Sequence, residues 1–395
     1  MPKKRVLSPQ SVWDEPALRL AFDRAGVKAL HLPPLYRHLL RHPDASWSDV
    51  PDLPRAAVDL LTRDFAAHTT TLVHAQTSGG GDATKLLVRL QDGLQVEAVI
   101  MQYDTTSAPP AASDGAAPPA VTGSQRCTLC VSSEVGCAMA CTFCATGTMG
   151  LSADLTAGEI VEQLVHARRQ HPIRNVVFMG MGEPLNNYVA VRAAILTMVD
   201  PASFALRRSA VTLSTVGVAP RIRQLAADLP GVSLALSLHA PTQELRAAIV
   251  PSARAYPLDR LMAAVAEYQA ASGQRVFVEY VLLGEANCRA EHAHALGALL
   301  SGRNVVVNLI PWNPILSPAM DFRGPAPGQA VEFAAVLREQ YGLPTTIRQE
   351  KGQDVAGACG QLVLEQGGRA CGPGGSGGGG CGDLEDLAGR AVAAR

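Results

Sequence analysis

Cys137-Ala-Met-Ala-Cys141-Thr-Phe-Cys144 places three thiols within eight residues of a 395-residue chain. The spacing, three residues and then two, lets one loop wrap a compact metal centre. Three cysteines leave a four-iron cluster with one iron lacking a protein ligand, where a substrate can coordinate. An electron-transfer cluster is normally closed by four thiolates. A zinc knuckle or a chance cluster of buried cysteines is the plainer alternative. Just upstream stands Cys127-Thr-Leu-Cys130. Read alone, it is half a zinc site or a redox pair, but no equally clear zinc partner occurs elsewhere. Cys130 falls on an expected strand seven residues before the cluster loop and so lies near the same site. Cys127 has no comparable argument.

The chain holds 9 cysteines, an odd number, and five of them fall in the stretch 127–144. A disulfide framework would spread and pair them, so the clustering points to metal or redox chemistry in a reducing compartment. Hydrophobic residues make up 47% and charged residues 17%, which excludes a wholly disordered chain. No run approaches about 18 apolar residues, so no membrane helix is expected. The first five residues are basic, but no apolar segment follows to make a secretory signal. A cytoplasmic location is expected, or an organelle if the source is eukaryotic. The formal charge is -1, so any nucleic-acid surface must be a local patch.

After Arg126 short β-rich runs alternate with helical stretches. Strands are expected at 175–179, 210–214, 232–238, 275–282, 305–310 and 345–348, with helices such as 157–169 and 258–271 between them. This alternation argues for an α/β fold built on βα units, with chemistry at the C-terminal ends of the strands. Upstream, Asp14-Glu-Pro opens an apolar-periodic helix, and Pro33-Pro34 opens a second one through 35–40. Two strands, 85–90 and 94–101, meet around Asp92-Gly93 as a hairpin. The expected division is a helical accessory domain at 1–69, a β-hairpin region at 70–104, a flexible insertion at 105–124, a core at 125–365 and a Gly-rich disordered tail at 366–395. No internal repeat is found.

Cys130-Val-Ser-Ser-Glu-Val-Gly-Cys137-Ala-Met-Ala-Cys141-Thr-Phe-Cys144-Ala-Thr-Gly resembles the radical S-adenosylmethionine (SAM) RNA adenine methyltransferases of the RlmN/Cfr type. Further matches follow in the family's order: Gly180-Met-Gly-Glu183-Pro, Leu213-Ser214-Thr-Val-Gly, Leu236-Ser237-Leu238-His239-Ala, Asn308-Leu-Ile-Pro-Trp-Asn313-Pro and Ala358-Cys359-Gly-Gln-Leu. They span about residues 85–364. Each piece alone is weak; their ordered conjunction is specific.

The resemblance implies a partial (β/α)6 radical SAM barrel with a small N-terminal helical domain and a β-hairpin. It assigns Cys137, Cys141 and Cys144 to a [4Fe-4S] cluster whose fourth iron takes the amino and carboxylate groups of S-adenosyl-L-methionine. Gly182 and Glu183 would contact that amino end, and Ser214, Ser237, Leu238, His239 and Asn313 would line the rest of the pocket. Read alone, the serines are ordinary strand-end hydrogen-bonders and His239 an ordinary core histidine. By the same resemblance the enzyme uses two S-adenosylmethionine molecules per turnover. The first methylates Cys359. The second yields a radical that removes hydrogen from that methyl, whose carbon then adds to adenine. Cys130 releases the covalent adduct by forming a disulfide with Cys359, and Glu97 accepts the ring proton. Glu97 stands among apolar neighbours on an expected strand, so partial burial is expected; a solvent-facing carboxylate is the bland reading.

The implied partners are 23S-type ribosomal RNA and, for the dual-specificity members, tRNA. A one-electron donor such as flavodoxin or ferredoxin, a monomeric state and no membrane complete the expectation. Methylation at C2 of adenine is preferred, with C8 as the alternative because 147–155 and 204–208 lean toward Cfr-like sequences. Lys351 stands where the family usually has Arg. Arg168, Arg169, Arg207, Arg208 and Arg254 suit phosphates, although a solvated surface is the commoner role of each. A non-enzymatic metal-binding RNA-binding protein is the rival from another class.

Overall fold

The computed structural model describes residues 5–103, 126–315 and 322–362. These lie in one of two compact units, Met1–Leu364. The expected insertion at 105–124 and the Gly-rich tail at 366–395 fall outside the described residues.

One mixed sheet of ten strands organises this unit. Its antiparallel part is β1 (Thr71–Thr77), β2 (Ala83–Arg89) and β3 (Gln95–Tyr103). Its parallel part is β4 (Arg126–Cys130), β5 (Ile173–Phe178), β6 (Val211–Thr215), β7 (Ser233–Ser237), β8 (Val276–Leu282), β9 (Val305–Pro311) and β10 (Thr345–Ile347). Strand order follows the chain, and β3 joins β4 antiparallel, so hairpin and barrel share one sheet. One face of the parallel strands is apolar, as at Leu234, Leu236, Val278 and Val307, where helices cover it, while the other face carries polar residues such as Ser237 and Glu279.

Three N-terminal helices precede the sheet: α1 (Glu15–Arg24), α2 (Leu32–Arg41) and α3 (Arg55–Asp64). Asp14 caps α1 by accepting from Ala17 N at 3.3 Å, and the prolines sit in the first turns of α1 and α2, where no N–H is needed. The six crossovers of the parallel part are α4 (Ala157–Arg168), α5 (Tyr188–Val199), α6 (Ala219–Asp228), α7 (Leu258–Ser272), α8 (Ala290–Leu300) and α9 (Gln329–Tyr341). This is an α/β fold, a (β/α)6 partial barrel with one short extra parallel strand, β10.

Two observations differ from the sequence reading. The hairpin region holds three strands, not two. Thr71–Thr77 is an edge strand exposed along nearly its whole length, so it carries no apolar alternation to read. The N-terminal helices also do not make a core of their own. Trp13, Leu18 and Phe22 belong to the same apolar cluster as Ile160 and Leu164 of α4.

The fastening is polar as well as apolar. Thr156 and Glu159 form a reciprocal capping box at the start of α4. Glu159 also receives Arg5 at 2.7 Å, which pins the N-terminal segment. One turn later Glu162, wholly buried, accepts from the Ser11 hydroxyl at 2.5 Å and from the N–H and hydroxyl groups of both Thr69 and Thr70. Beside it His166 meets Thr70 Oγ1 at 2.9 Å.

Replacing Glu162 by Ala strands these donors, and urea unfolding should show a loss on the order of 3 kcal/mol; a loss near zero would contradict the network. Burial, with His68 and Arg169 adding repulsion, pushes His166 down to about 4. The unfolded chain therefore takes up this proton first, near pH 6.5, and the fold does not. Stability should fall as pH drops from about 6.5 toward 4, and less steeply in a His166→Gln variant.

Candidate active site

The C-terminal ends of the parallel strands surround one cavity. Its wall includes Cys137, Cys141, Cys144, Gly182, Glu183, Ser214, Ser237, His239, Asn313 and Cys359. Residues from the sequence positions 137–144, 180–184, 213–216, 237–239, 310–313 and 359–362 therefore meet at one place.

The cysteine loop follows β4 and is held by its own backbone. Cys137 N donates to Gly150 O at 2.9 Å, Cys144 N to Cys141 O at 3.2 Å, and Thr142 N to Ile249 O at 2.9 Å. Burial pushes the Cys137 thiol up to about 12, and Cys141 and Cys144 also rise, with neighbouring thiols adding to the shift at Cys137 and Cys141. All three are free, and desolvated thiols gain most from a metal that takes their charge. Among the described residues no three His, Cys, Asp or Glu side chains converge where a single metal ion would sit. Three thiols on one cavity wall fit a [4Fe-4S] cluster in which each would bind a different iron.

The turn after β5 leaves no room for side chains at its glycines. A Cβ on Gly182, whose φ is +101°, would meet Glu134 N at 2.8 Å and Glu134 Cβ at 2.6 Å. Glu183 follows, wholly buried within that turn. Its Oε1 accepts from Leu185 N at 3.0 Å and its Oε2 from Val216 N at 2.9 Å, so the carboxylate ties β5 to β6. Burial still holds it above the usual carboxylate range. Behind it, Glu134 Oε2 accepts from Glu183 N at 2.9 Å. Burial, reinforced by Glu183 and Asp154, pushes Glu134 up to about 8.

Ser214 and Ser237 face one another, with hydroxyl oxygens 3.2 Å apart. Leu238 is fully buried, and its N donates to Glu279 O at 3.0 Å. His239 adopts φ +60°, rare for a residue with a Cβ, and is held there on several sides. Asn287 Nδ2 donates to its carbonyl at 2.9 Å, and Val281 N donates to its Nδ1 at 3.1 Å. Because Nδ1 accepts, the ring proton sits on Nε2. Burial, helped by Arg246, pushes this histidine down to about 3, so it stays neutral. Phe143 of the cysteine loop packs edge-on against its ring at 4.8 Å.

The Cys359 loop is laced onto the cysteine loop. Ala145 N donates to Gly360 O at 2.8 Å, and the Thr146 hydroxyl donates to Leu362 O at 2.6 Å. Asn313 turns its Nδ2 to Cys359 O at 3.1 Å and accepts Gln353 Nε2 on its oxygen at 2.9 Å. Cys130 and Cys359 share a second, smaller pocket with Met101, Met179 and Arg348. Both thiols are free, Cys130 buried and Cys359 in an exposed residue; loss of water around the sulfur raises both, Cys130 to about 12, and Arg348 opposes the shift at each. The Arg348 guanidinium faces the sulfurs of Met179 and Met101, at 3.9 Å and 3.6 Å.

Glu97 lies on β3, on the face shared with Val99 and Met101 of that pocket. It is buried and paired with Lys85 Nζ at 3.0 Å. It does not line the main cavity; Val99, two residues on and roughly 7 Å along the strand, reaches the smaller pocket. Lys351 pairs with Asp82 at 2.9 Å at the hairpin turn, and Cys288 is buried away from the cavity.

Sequence reasoning missed Glu134, Arg246, Glu279 and Arg348. Arg246 sits in the short helix Gln243–Ile249, where a charge reads as solvated, yet it is 1% exposed. It donates to Leu238 O at 3.2 Å and to Val216 O, bracing two strand ends. Nothing in the local sequence separates such a brace from a surface arginine.

Residues 131–295 match the radical SAM superfamily. Over 352 residues the chain is 38% identical to dual-specificity RNA methyltransferase RlmN 1 of Myxococcus xanthus, covering 88% of this chain and 92% of that protein. The chain belongs to the RlmN family of radical SAM RNA methyltransferases. A probable RlmN of Moorella thermoacetica is 41% identical over 318 residues, covering 79% of this chain and 84% of that one. The crystal structure of a radical SAM methyltransferase from Sphaerobacter thermophilus superposes with a TM-score of 0.77 at 35% identity, covering 90% of this chain and 99% of that one. A [4Fe-4S] cluster and S-adenosylmethionine follow from this family. No helix among the described residues is long and apolar enough to cross a membrane.

A Gly182→Ala variant should lose roughly 2 kcal/mol or more, because it adds both a clash and a strained φ. Thermal unfolding measures this, and an unchanged midpoint would mean that the turn relaxes freely.

Proposed function

We propose that this chain methylates C2 of an adenine in ribosomal RNA and in tRNA, with Cys359 as methyl carrier, Cys130 as resolving thiol and Glu97 as base. The observation that carries the reading is the meeting of Cys359 with Cys137, Cys141 and Cys144 on one cavity wall, with Cys130 and Arg348 in the adjoining pocket. When bound, the cluster and two successive S-adenosylmethionine molecules supply a methyl group and then a hydrogen-abstracting radical, drawing on a one-electron donor such as flavodoxin or ferredoxin.

The chain's own residues do the rest. Cys137, Cys141 and Cys144 hold the cluster. Gly182, Glu183, Ser214, Ser237, Leu238, His239 and Asn313 seat the cofactor, with His239 offering a neutral Nε2–H donor. Cys359 presents its sulfur from a loop that Asn313 and the cysteine loop hold still. Its thiolate takes the methyl as the sulfonium–carbon bond breaks. Arg348 favours that thiolate over the thiol. Once the methyl carbon is bonded to the ring, the addition radical returns its extra electron to the redox donor and the ring proton passes to the base. Cys130 then attacks the Cys359 sulfur. An S–S bond forms as the sulfur–carbon bond breaks, and the released carbon takes up a proton to become the methyl group. Glu97 is positioned by Lys85 on the strand that borders the Cys130 pocket. The protein acts as a monomer.

Nucleoside mass spectrometry of RNA from a methyltransferase-deficient host expressing the chain should show 2-methyladenosine. Cys359→Ala should abolish it, and Cys130→Ala should accumulate an RNA–protein adduct that survives denaturation. 8-Methyladenosine would replace the C2 assignment, and no methyladenosine would reject the reading. Cys141→Ala should lose iron and sulfide together; zinc in place of iron would overturn the cluster assignment.

A further inference from the structure

The roles above leave one buried carboxylate of the cavity unused. Glu279 sits mid-strand on β8 and is 3% exposed, with its side chain on the wall shared by Ser237, His239 and Cys359. Strand register sets Ser237, Glu279, Asn308 and Thr346 in one row across β7 to β10. Hydrogen bonds run along this row. The Thr346 hydroxyl donates to Asn308 Oδ1, and Asn308 Nδ2 donates to Glu279 Oε1 at 3.2 Å. The remaining oxygen, Oε2, is buried without a hydrogen-bond partner among the described residues.

Proteins rarely leave a buried carboxylate oxygen unmatched, because it has lost water and gained nothing. Asn308 is committed to the other oxygen, and Arg348 acts on Glu279 through space, as burial lifts the carboxyl and Arg348 opposes that lift. The oxygen is therefore an acceptor waiting for donors from something in the cavity. Next to it along the row, the Ser237–Ser214 hydroxyl pair continues the same polar band. The walls above it are apolar, with Val281, Ile310 and Trp312. A polar floor under apolar walls suits a molecule with a flat ring and hydroxyls on one side.

We propose that Glu279 Oε2 accepts hydrogen bonds from the ribose hydroxyls of an adenosine moiety bound in this cavity. The assignment rests on the functional reading above, which puts two adenosines near this wall: that of the cofactor and that of the target RNA. The chemistry is shared, and the experiment separates the sources.

Glu279→Gln is the informative variant. Asn308 keeps its orientation through Thr346, so the new amide must turn its oxygen toward Asn308 and its NH2 toward the cavity. A neutral N–H then replaces the charged acceptor, so the ribose hydroxyls lose the oxygen to which they donate. Glu279→Ala removes the acceptor without adding a donor and guards against a peculiarity of the amide. Each variant is prepared anaerobically with its cluster, and iron content and thermal unfolding serve as folding controls. Equilibrium dialysis with S-adenosylmethionine forms one arm, and binding of an RNA stem-loop containing the target adenosine forms the other. Loss of a hydrogen bond to a charged acceptor predicts roughly 10–100-fold weaker binding in one arm. A loss in the dialysis arm assigns Glu279 to the cofactor ribose, and a loss in the RNA arm assigns it to the target ribose. The loss should be absent for 2′,3′-dideoxy S-adenosylmethionine in the dialysis arm and, in the RNA arm, for a stem-loop with 2′-deoxyadenosine at the target, whose 2′-OH is the one free ribose hydroxyl. Wild-type affinity in both arms, from folded and iron-loaded variants, would overturn the inference. Failure of the wild-type protein to bind S-adenosylmethionine would instead overturn the functional reading on which it rests.

Discussion

Two hydrogen bonds between distant loops hold the chemistry together. Ala145 N donates to Gly360 O, and the Thr146 hydroxyl donates to Leu362 O. They fasten the end of the three-cysteine loop to the segment that carries Cys359. Trp312 Nε1 donates to Phe143 O at 3.1 Å and Asn313 reaches Cys359 O, so the end of β9 locks against the same pair of loops. A reaction that moves one carbon between a metal-bound cofactor, a cysteine and a nucleobase depends on such fixed spacing, since small misplacements are costly in rate. The strand ends supply the frame, and these side-chain bonds set the separation.

Electrostatics in this space follows from burial. The thiols at 130, 137, 141 and 144 are all held in the neutral form by desolvation. Each becomes a useful thiolate only when a positive group or a metal takes up the charge. For the cluster loop, the metal centre does this, with Arg246 close enough to act on Cys141. For Cys130 and Cys359 the cation is Arg348, seated against methionine sulfurs. Burial works against its charge, but the surrounding anionic groups outweigh that effect and hold it above the usual guanidinium range.

The N-terminal helices and the hairpin serve the site indirectly. Arg5, Ser11, Thr69 and Thr70 converge on Glu159 and Glu162 of α4, the helix that follows the cysteine loop. At the far end of the hairpin, Gly79 N donates to Asp354 at 2.7 Å and Lys351 pairs with Asp82. The segment leading to Cys359 is thus held by the antiparallel strands as well as by the barrel. That the sheet runs unbroken from β1 to β10 explains why both attachments are possible.

The sequence by itself determined the parallel strands, the crossover helices and the cysteine loop. Their signals are local: apolar runs of strand length, capped helical periods and three thiols in eight residues. The ordered motifs named the residues that meet at the cavity. Only the tertiary structure decided the rest. Thr71–Thr77 joins the sheet as an exposed edge, where the pairing is made by backbone and leaves no hydrophobic pattern. Arg246, Arg348, Glu134 and Glu279 look like surface charges in the chain, and their burial is set by what packs over them. His239 is neutral because it is buried, and its proton is on Nε2 because a strand N–H 42 residues away reaches its other nitrogen. A sequence lists which groups can ionise or donate; which of them lose water, and which partners they then find, is fixed by contacts made across the fold.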